Sequence, residues 1–355
     1  MFNDLIAHSF DDVVRIQPAE SASPAGRAKP VRIEEVAQIA GVSPITVSRA
    51  LRNPKLVSET TRDRILAVVQ ETGYWSNPHA SALRTGRSSI VAVFVSNLMS
   101  QQYTQAARAC AEVIEDHGLQ MLVGQTSYSY SRELSAIQSL RALRPAAVFL
   151  TGVIELEENR QMLRDLNIPI VESWANTRDP IDMLVAFSNV DAGSLAANHL
   201  AKQGYRRPAF IGRGGGRGKL RLQGFVRRLG EYGIDLAGNV VVDWVESIED
   251  GRRAFRQLQA SGVAFDSVFC ANDLLATGAL IEALAQGRSI PGEVGILGFG
   301  DRHSAIGLSP RLSMVAVDTI QIGREAGTMI LNRLNGEAAK DRVCLDLYLL
   351  AGETA

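Results

Sequence analysis

Residues 33–51 contain side chains whose types and spacing suit contacts with double-stranded DNA. Arg49 could donate paired hydrogen bonds to a guanine edge or bind a phosphate, and Ile45 could contact thymine methyl groups. The hydroxyls of Thr46 and Ser48 suit phosphate contacts, which fix the register of a protein on the duplex without reading its sequence. Because these side chains lie within five residues, one helix would have to present them all.

A helix-turn-helix is predicted to position that segment. Gly41 suits the positive φ at which the first helix ends, Ser43 can cap the second helix, and Pro44 at its first position loses no hydrogen bond. Apolar and small residues recur at helical spacing and predict the buried face: Ile33, Val36, Ala37, Ala40, Val42, Val47 and Leu51. Such a pair places its second helix in a DNA major groove. The alternative is an ordinary helical hairpin in an all-α module.

A third helix and a local excess of positive charge extend this module. The helix is expected to be capped by Ser58 and closed by Gly73. Its buried face is predicted to consist of Ile65, Val68 and Val69. Residues 31–87 carry eight basic and five acidic residues, a net charge of +3, whereas the whole chain of 355 residues has a net charge of −1. Positive charge is therefore concentrated in the module that would meet a polyanion.

Residues 77–86 form a segment that is too short for a stable isolated helix. The segment nevertheless begins with a capping residue, Asn77, and ends at Gly86. Leu83 has little local core to join, so it could act as an apolar wedge between base steps of a minor groove, with Arg84 contacting the backbone. The alternative is a plain linker in which Leu83 docks on the larger domain.

From residue 88 onward, apolar strand-like runs alternate with amphipathic helices. The runs form two series, and the second starts near Phe187. Strands that are apolar throughout imply parallel sheets covered on both faces, so an α/β fold with two doubly wound subdomains is expected. In such folds a ligand binds beyond the carboxyl ends of the strands, in the cleft between the two halves.

A glycine-rich run at residues 212–220 invites a phosphate-loop interpretation, but it does not match the template. Arg213 stands where the first glycine would be, and Leu220 replaces the hydroxyl that would bind magnesium. A flexible loop over the mouth of the cleft is predicted instead, in which Arg213, Arg217 and Lys219 either attract an anionic ligand or stay solvated. The five histidines lack metal-binding spacing, so no catalytic site, metal or cofactor is expected.

The remaining composition argues against export and membrane insertion. The three cysteines lie far apart without a CxxC pair, which is typical of reduced thiols in a cytoplasmic protein. No apolar run approaches the roughly 18–20 residues of a membrane span. Acidic residues occupy the N-terminus, where a secretion signal needs basic ones. A cytoplasmic location is therefore expected, with residues 1–30 as a disordered extension.

Residues 31–355 resemble the lactose and galactose repressor (LacI/GalR) family of bacterial transcription factors. The resemblance rests on these segments in this order: EEVAQIAGVSPITVSRALRN, VSETTRDRI, GYWSNPHASALRTGRSS, GYRRPAFIG, RLQGF, CANDLLATGA and VGILGFGD. It implies a helix-turn-helix headpiece, a hinge helix, and a periplasmic-binding-protein-like core that dimerises and binds a small effector. The stretch PIDMLVAFSN is similar to the subgroup that regulates gluconate and related sugar-acid metabolism.

Matching positions in this resemblance imply the roles of particular residues. Pro44, Ile45 and Arg49 fall on base-reading positions, and Leu83 falls on the position of a minor-groove leucine. Six residues fall at or beside effector contacts: Ser96, Thr151, Trp174, Arg221, Asn272 and Asp301.

The chemistry of several of these residues agrees with effector binding. Arg221 offers a planar fork for a carboxylate or for paired hydroxyls, and Trp174 could stack on the apolar face of a sugar. Asn272 and Asp301 follow strands, where they could bind hydroxyls or simply cap loops. Gly300 stands in place of a frequent ligand-binding aspartate. The missing negative charge would suit an anionic effector, and the alternative is that Asp301 beside it compensates for the loss.

The sequence therefore predicts a DNA-binding transcriptional regulator, a repressor controlled by a sugar acid such as gluconate or by a phosphorylated relative. It would bind a pseudo-palindromic operator as a homodimer, since no heptad repeat follows the core. A solute-binding protein, or a sugar or nucleotide enzyme on the same core fold, is the alternative. Arg32 stands where relatives have a capping threonine, so the first helix is expected to begin less sharply.

The expected domains are an extension (1–30), the headpiece (31–76), the hinge (77–87) and the core (88–355), whose first subdomain comprises 88–187 and 319–341 and whose second comprises 188–318 and 342–355.

Overall fold

The computed structural model describes residues 31–52, 54–74, 88–126, 130–177, 179–300 and 307–355. The chain divides into two compact units, Met1–Ser81 and Ala82–Ala355. Among the described residues, no helix is long and apolar enough to cross a membrane.

The first unit is a small helical module. Its described elements are helix α1 (Ile33–Ile39), helix α2 (Pro44–Arg52), a 3-10 turn (Pro54–Leu56) and helix α3 (Glu59–Thr72). Gly41 and Gly73 adopt φ angles of 64° and 62°, as the sequence predicts. The buried side chains of the three helices form one core: Val36, Ala37, Ala40, Val47, Ala50, Ile65 and Val68. Because each helix buries one stripe of its surface, the predicted helix-turn-helix is confirmed and its outer face stays exposed.

The second unit contains two six-stranded sheets. The strands of the first sheet are β1 (Ile90–Val95), β2 (Gln120–Gln125), β3 (Ala147–Leu150), β4 (Ile170–Ser173), β5 (Met183–Ala186) and β11 (Arg342–Cys344). They are ordered β11-β5-β4-β3-β1-β2, and every pair is parallel. The helices of this half are α4 (Gln101–Glu115), α5 (Tyr130–Leu143), α6 (Glu157–Arg164) and α11 (Thr319–Asn335), which follows β10 of the second sheet along the chain.

The second sheet repeats this arrangement. Its strands are β6 (Pro208–Arg213), β7 (Gly238–Val242), β8 (Ser267–Cys270), β9 (Gly295–Gly300), β10 (Ser313–Val317) and β12 (Leu347–Leu350). They are ordered β12-β10-β9-β8-β6-β7, and all pairs are parallel except β10 with β12. The helices are α7 (Asn189–Lys202), α8 (Gly216–Glu231), α9 (Ile248–Ala260) and α10 (Asp273–Ala285).

The strands at the centre of both sheets are buried along their whole length, which explains their uninterrupted apolar sequences. The predicted α/β fold with two parallel-sheet halves is therefore confirmed. Helices α7 and α8 pack closely because both carry glycine at the crossing. A Cβ atom at Gly224 would lie 1.9 Å from the carbonyl oxygen of Val190, so no larger residue fits there without moving a helix.

Helix α8 differs from the sequence-based expectation. The sequence predicts a flexible loop at residues 212–220, but β6 runs to Arg213 and α8 begins at Gly216. The glycines serve a tight strand-to-helix turn, since a Cβ at Gly218 would lie 2.3 Å from the carbonyl oxygen of Arg213. The prediction of a flexible loop was wrong because glycine permits close backbone approach as well as mobility.

The chain crossings between the two sheets also refine the expected boundaries. Arg342–Cys344, which the sequence places in the second subdomain, forms β11 of the first sheet by pairing with β5. The last crossing therefore falls after Cys344. Strand β5 is not evident from the sequence, because four apolar residues just before a helix do not distinguish a strand from a helix start.

Candidate DNA-contacting helix and effector cleft

The turn before α2 is held by the predicted cap. Ser43 Oγ accepts a hydrogen bond of 3.2 Å from the backbone N–H of Thr46 and lies 2.8 Å from Thr46 Oγ1. Pro44 is the first residue of the helix, as predicted. The hydroxyl of Thr46 is thus already engaged with Ser43, and a phosphate would have to share or displace that contact.

Helix α2 separates a buried face from an exposed one. Val47 and Ala50 are buried in the small core. Ile45 is 60% exposed, and Arg49 is also exposed. An exposed large apolar side chain next to an exposed arginine is the combination that base methyl groups and base edges require. The residues predicted from sequence to contact DNA and described by the structure therefore share the outer face and the first turn of one helix.

The flanking helices are capped differently from α2. Arg32 precedes α1 and makes no capping hydrogen bond through its side chain, as expected from the residue type. Ser58 precedes α3, but its hydroxyl donates to Thr61 Oγ1 at 2.9 Å and accepts nothing from the backbone. Ser58 therefore occupies the expected capping position but does not form the capping hydrogen bond. Asn77, Leu83 and Arg84 lie outside the described residues.

The carboxyl ends of β1 and β3 form one wall of the predicted cleft. The backbone N–H of Ser96 donates to Thr151 Oγ1 at 2.8 Å, and Ser96 Oγ donates to the Thr151 carbonyl oxygen at 2.8 Å. Both residues are buried. They line a cavity of ≈ 510 Å³, whose opposite wall includes Arg213, Arg217 and Trp244. The cavity thus opens where parallel strands end, as expected for a ligand site in such folds.

Arg217, on the first turns of α8, crosses from the second half of the core to the first. Its Nη1 donates to the Thr151 carbonyl oxygen at 3.1 Å, and its Nη2 donates to Ser96 Oγ at 3.1 Å. Its guanidinium carbon also lies 5.7 Å from the centre of the Tyr103 ring. The interpretation of Arg217 as a solvated loop residue is wrong, whereas Lys219 is exposed. The guanidinium of Arg217 stands inside the cavity that a ligand would enter.

Arg213, at the end of β6, places a second guanidinium on the same wall. Its Nε donates to the Asp243 carbonyl oxygen at 3.0 Å, and its guanidinium carbon lies 5.9 Å from the centre of the Trp244 ring. These contacts orient the side chain beside the cavity.

Arg221 is buried one turn further along α8. Its Nη1 donates to the Ala271 carbonyl oxygen at 2.5 Å, and its guanidinium carbon lies 3.4 Å from the centre of the Phe299 ring. Asn272 follows β8, and its Oδ1 accepts from the backbone N–H groups of Leu274 and Leu275. The side-chain oxygen of Asn272 therefore caps the helix that follows, which is the capping alternative expected from the sequence. Asp301 lies outside the described residues.

Trp174 is completely covered. Its φ of 63° is rare for a large residue. Its Nε1 donates to Gln102 Oε1 at 3.0 Å, and the two rings of Trp174 and Tyr103 lie 4.9 Å apart. In this conformation the ring offers no exposed face, so stacking on a sugar would first require the cleft to open.

A buried polar network that sequence reasoning missed continues from Gln102 to the second half of the core. Gln102 Nε2 donates to Asp273 Oδ1 at 3.3 Å, and Ser100 Oγ lies 2.8 and 2.9 Å from the two carboxylate oxygens of Asp273. A further bridge joins Asn97 Nδ2 to the Val245 carbonyl oxygen at 2.8 Å. The only sequence signal for this network was an aspartate directly after Asn272. Together with Arg217, these bonds hold the two halves against each other.

Acidic groups on the first wall modulate the charge of the cavity. Burial raises the pKa of Glu133, although a hydrogen bond from Asn159 Nδ2 at 2.7 Å opposes the shift. Burial likewise raises the pKa of Glu172, against hydrogen bonds from the backbone N–H groups of Ile181 and Ile154. Glu133 lines the cavity itself. The site thus combines two guanidinium groups with three carboxyl groups, those of Glu133, Glu155 and Asp243, of which Glu133 is more easily protonated than usual.

Comparison with known proteins matches both units. Residues 32–77 match the model of bacterial regulatory proteins of the lacI family, and residues 197–354 match a periplasmic binding protein-like domain. The chain is 36% identical to the HTH-type transcriptional regulator GntR of Pseudomonas aeruginosa over 311 residues, which cover 87% of this chain and 91% of that protein.

Solved structures give the same result. The crystal structure of a LacI-family transcriptional regulator from Silicibacter pomeroyi has a TM-score of 0.82 and 32% identity, covering 92% of this chain and 99% of that one. The lac repressor dimer bound to its operator and an anti-inducer has a TM-score of 0.77 at 24% identity, covering 92% of this chain and 99% of that chain. At that identity the likeness concerns the fold.

Proposed function

The chain belongs to the LacI family of bacterial regulatory proteins, and from this premise we propose that it is a repressor that binds a pseudo-palindromic operator as a homodimer under the control of a small sugar acid. It is a transcriptional regulator with a helix-turn-helix DNA-binding domain, and its relatives are regulators rather than enzymes. The proposal concerns what the regulator reads and what it senses. A repressor must reach the chromosome, so the proposed location is the cytoplasm.

The DNA side of the proposal is supported by the outer face of α2. Ile45 and Arg49 are the residues proposed to read bases, because both are exposed and their chemistry matches a thymine methyl group and a guanine edge. Pro44 is proposed to lie at a base-reading position beside them. The remaining proposed contacts are those to the DNA backbone and the minor groove: Ser43, Thr46, Ser48, Asn77, Leu83 and Arg84. The domain boundaries expected from sequence are proposed with them, with the last crossing moved to follow Cys344.

The effector side is carried by one observation, the position of Arg217. Its guanidinium occupies the cavity and is satisfied by a carbonyl oxygen and a hydroxyl of the opposite wall. A carboxylate is a stronger acceptor for a guanidinium than a neutral oxygen, and it can accept two parallel hydrogen bonds. An entering sugar acid would therefore replace the contacts of Arg217 with Thr151 and Ser96, leaving those two residues to bind its hydroxyls.

A neutral sugar has no group that would form stronger hydrogen bonds with Arg217 than Thr151 and Ser96 already do. The proposed effector is therefore gluconate or a phosphorylated relative, in keeping with the relative named GntR. Trp174, Arg221, Asn272 and Asp301 are proposed to complete the site once the cleft has opened. Opening would change how the two halves sit, which is how effector binding could alter operator affinity.

The test uses the full-length protein and a duplex that it selects from a random library. Operator affinity is measured by fluorescence anisotropy with gluconate, 6-phosphogluconate or glucose. We expect operator affinity to fall steeply with salt, and we expect one of the two acids, but not glucose, to change it. Expression of a reporter behind the selected duplex should rise when the protein is removed. Equal responses to glucose and to the acids would contradict the assignment of the effector.

Two arginine variants test the assignment of α2. Arg49→Ala should weaken operator binding roughly 10- to 100-fold, the range for loss of one paired contact to a base. Arg206→Ala removes an exposed arginine of the core and controls for net charge. If both variants bind the operator equally well, α2 does not read bases through Arg49.

A further inference from the structure

A second cavity of ≈ 750 Å³ lies at the opposite end of the first sheet from the effector cleft. Ser88, Leu119, Ala146 and Pro169 line it, and each of them precedes a strand of that sheet by one or two residues. The effector cleft, in contrast, lies beyond the carboxyl ends of the same strands. Since strands of four to six residues separate the two cavities, a ligand in one would not touch a ligand in the other.

The walls of this second cavity are mainly apolar. They come from helices α5 and α11 and from the segments that lead into β2 and β4: Leu119, Leu140, Leu166, Ile168, Leu331 and Leu334. Leu140 is fully buried, whereas Leu334 is only partly covered. The volume falls within the roughly 300–1,000 Å³ of small-molecule sites. The walls thus suit a ligand with an apolar body of moderate size.

The rim carries an excess of positive charge. Arg141 and Arg144 are exposed and have no ion pair with any residue that the structure describes. His117 holds its Nδ1 3.1 Å from the Val113 carbonyl oxygen, which leaves Nε2 for another partner. The acidic group at the rim, Asp165, already accepts a hydrogen bond from Gln161 at 2.8 Å. A ligand with a negative group would find two guanidinium groups against one carboxylate there.

Backbone conformation sets this rim apart as well. Three described residues other than glycine have positive φ, namely Arg144, Asn167 and Trp174. Arg144 at 47° and Asn167 at 51° both line the second cavity, and Trp174 belongs to the effector cleft. Residues other than glycine are uncommon in this region, and they cluster at ligand sites.

We propose that this cavity is a second ligand site, distinct from the effector cleft, that binds small organic anions with an apolar body, of the class of medium-chain carboxylates. The carboxylate lies between Arg141 and Arg144, and the hydrocarbon chain contacts the leucine-lined walls. The proposal goes beyond the regulator's proposed effector, because it does not depend on gluconate or on operator binding.

The test is isothermal titration calorimetry of the full-length protein with three probes. Decanoate has both the charge and the chain, acetate has the charge alone, and decanol has the chain alone. We expect decanoate to bind with one site per chain and acetate to bind at least 100-fold more weakly, since each buried methylene contributes to affinity. Decanol is expected to bind at least tenfold more weakly than decanoate, because it lacks the charge-assisted hydrogen bonds.

A matched pair of double variants locates the site. Arg141→Ala/Arg144→Ala should weaken decanoate binding about tenfold or more, while Arg206→Ala/Arg288→Ala removes two exposed arginines elsewhere in the core and should leave it unchanged. All four side chains are exposed, so the variants are expected to fold. Gluconate titrations of both double variants should match the wild type.

Absence of decanoate binding, equal binding by the two double variants, or equal binding of decanol and decanoate would each overturn the proposal. Loss of gluconate response in the Arg141→Ala/Arg144→Ala variant would also overturn it, because the two sites would then not be distinct. A failed gluconate response in the wild type would count against the proposed effector only and would leave the decanoate result valid.

Discussion

The outer face of α2 and the effector cleft present their functional residues in opposite ways. On α2, Ile45 and Arg49 are exposed on a helix whose other face is locked into a small core. In the cleft, Ser96, Thr151 and Arg217 are hydrogen-bonded to one another across the two halves of the core. The helix is therefore ready to meet its partner, whereas the cleft must exchange internal bonds for a ligand. Selectivity in the cleft follows from which ligand can replace those bonds.

The largest effect is expected from a substitution that destabilises the core behind α2. Val47→Asn places a polar side chain in a fully buried position, and so small a module cannot absorb the loss of several kcal/mol. We expect operator affinity to fall more than 100-fold, measured by anisotropy, while calorimetry shows unchanged effector binding.

Leu66→Asn is the matched control, because Leu66 is 44% exposed on α3 of the same module. It should bind the operator nearly as the wild type does. If Val47→Asn bound the operator normally, the rigid presentation of α2 would not depend on this core.

A second, smaller effect is expected from the network that closes the cleft. Asp273→Ala leaves Ser100 and Gln102 without their buried acceptor. The free energy of unfolding of the core should fall by about 2 kcal/mol, the loss expected when hydrogen bonds to a charged group are removed. Urea denaturation followed by circular dichroism measures this change.

Asp235→Ala provides the comparison for that variant, since Asp235 is exposed in the same half of the core. Its stability should match that of the wild type. If the free energy of unfolding of Asp273→Ala equalled that of the wild type, the two halves would not be held together through this carboxylate.

The smallest effect concerns pH. Burial raises the pKa of Glu133, so this group takes up its proton at a higher pH than an ordinary glutamate. Its ionised form repels an anionic effector in the cavity, and protonation removes the repulsion. Effector affinity should therefore increase as pH falls through that raised pKa, by roughly two- to fivefold.

Glu133→Gln should remove this pH dependence and bind the effector at neutral pH as the wild type does at lower pH. Glu115→Gln changes an exposed glutamate on α4 and should keep the wild-type profile. An unchanged profile in Glu133→Gln would mean that Glu133 does not cause the pH response.

Local chemistry made much of the fold predictable. Gly41 and Gly73 adopt the left-handed conformations expected of helix ends, and Ser43 caps α2 as its type and position suggested. These outcomes depend on a few neighbouring residues, so they can be inferred from a short stretch of sequence. The alternation of apolar strands and amphipathic helices predicted two parallel sheets for a similar reason, since each period reflects one buried face.

Predictions failed where a residue's role depends on what packs against it. The glycines of residues 212–220 suggested a loop, yet Gly218 is needed for close backbone approach. The role of Trp174 stays a prediction, and in this structure Tyr103 and Gln102 cover its ring. The network around Asp273 had no local signal, because its partners come from the other half of the core.

By itself, the sequence determined the elements of this protein and the family to which it belongs, because helix caps, turns and periodicity are properties of short segments. Only the tertiary structure decided which side chains meet in the cleft. Arg217 and Ser96 are 121 residues apart along the chain, and their contact arises because successive crossings bring the ends of two sheets together. The carboxyl-binding chemistry proposed here therefore results from topology, which joins distant residues that no local pattern pairs.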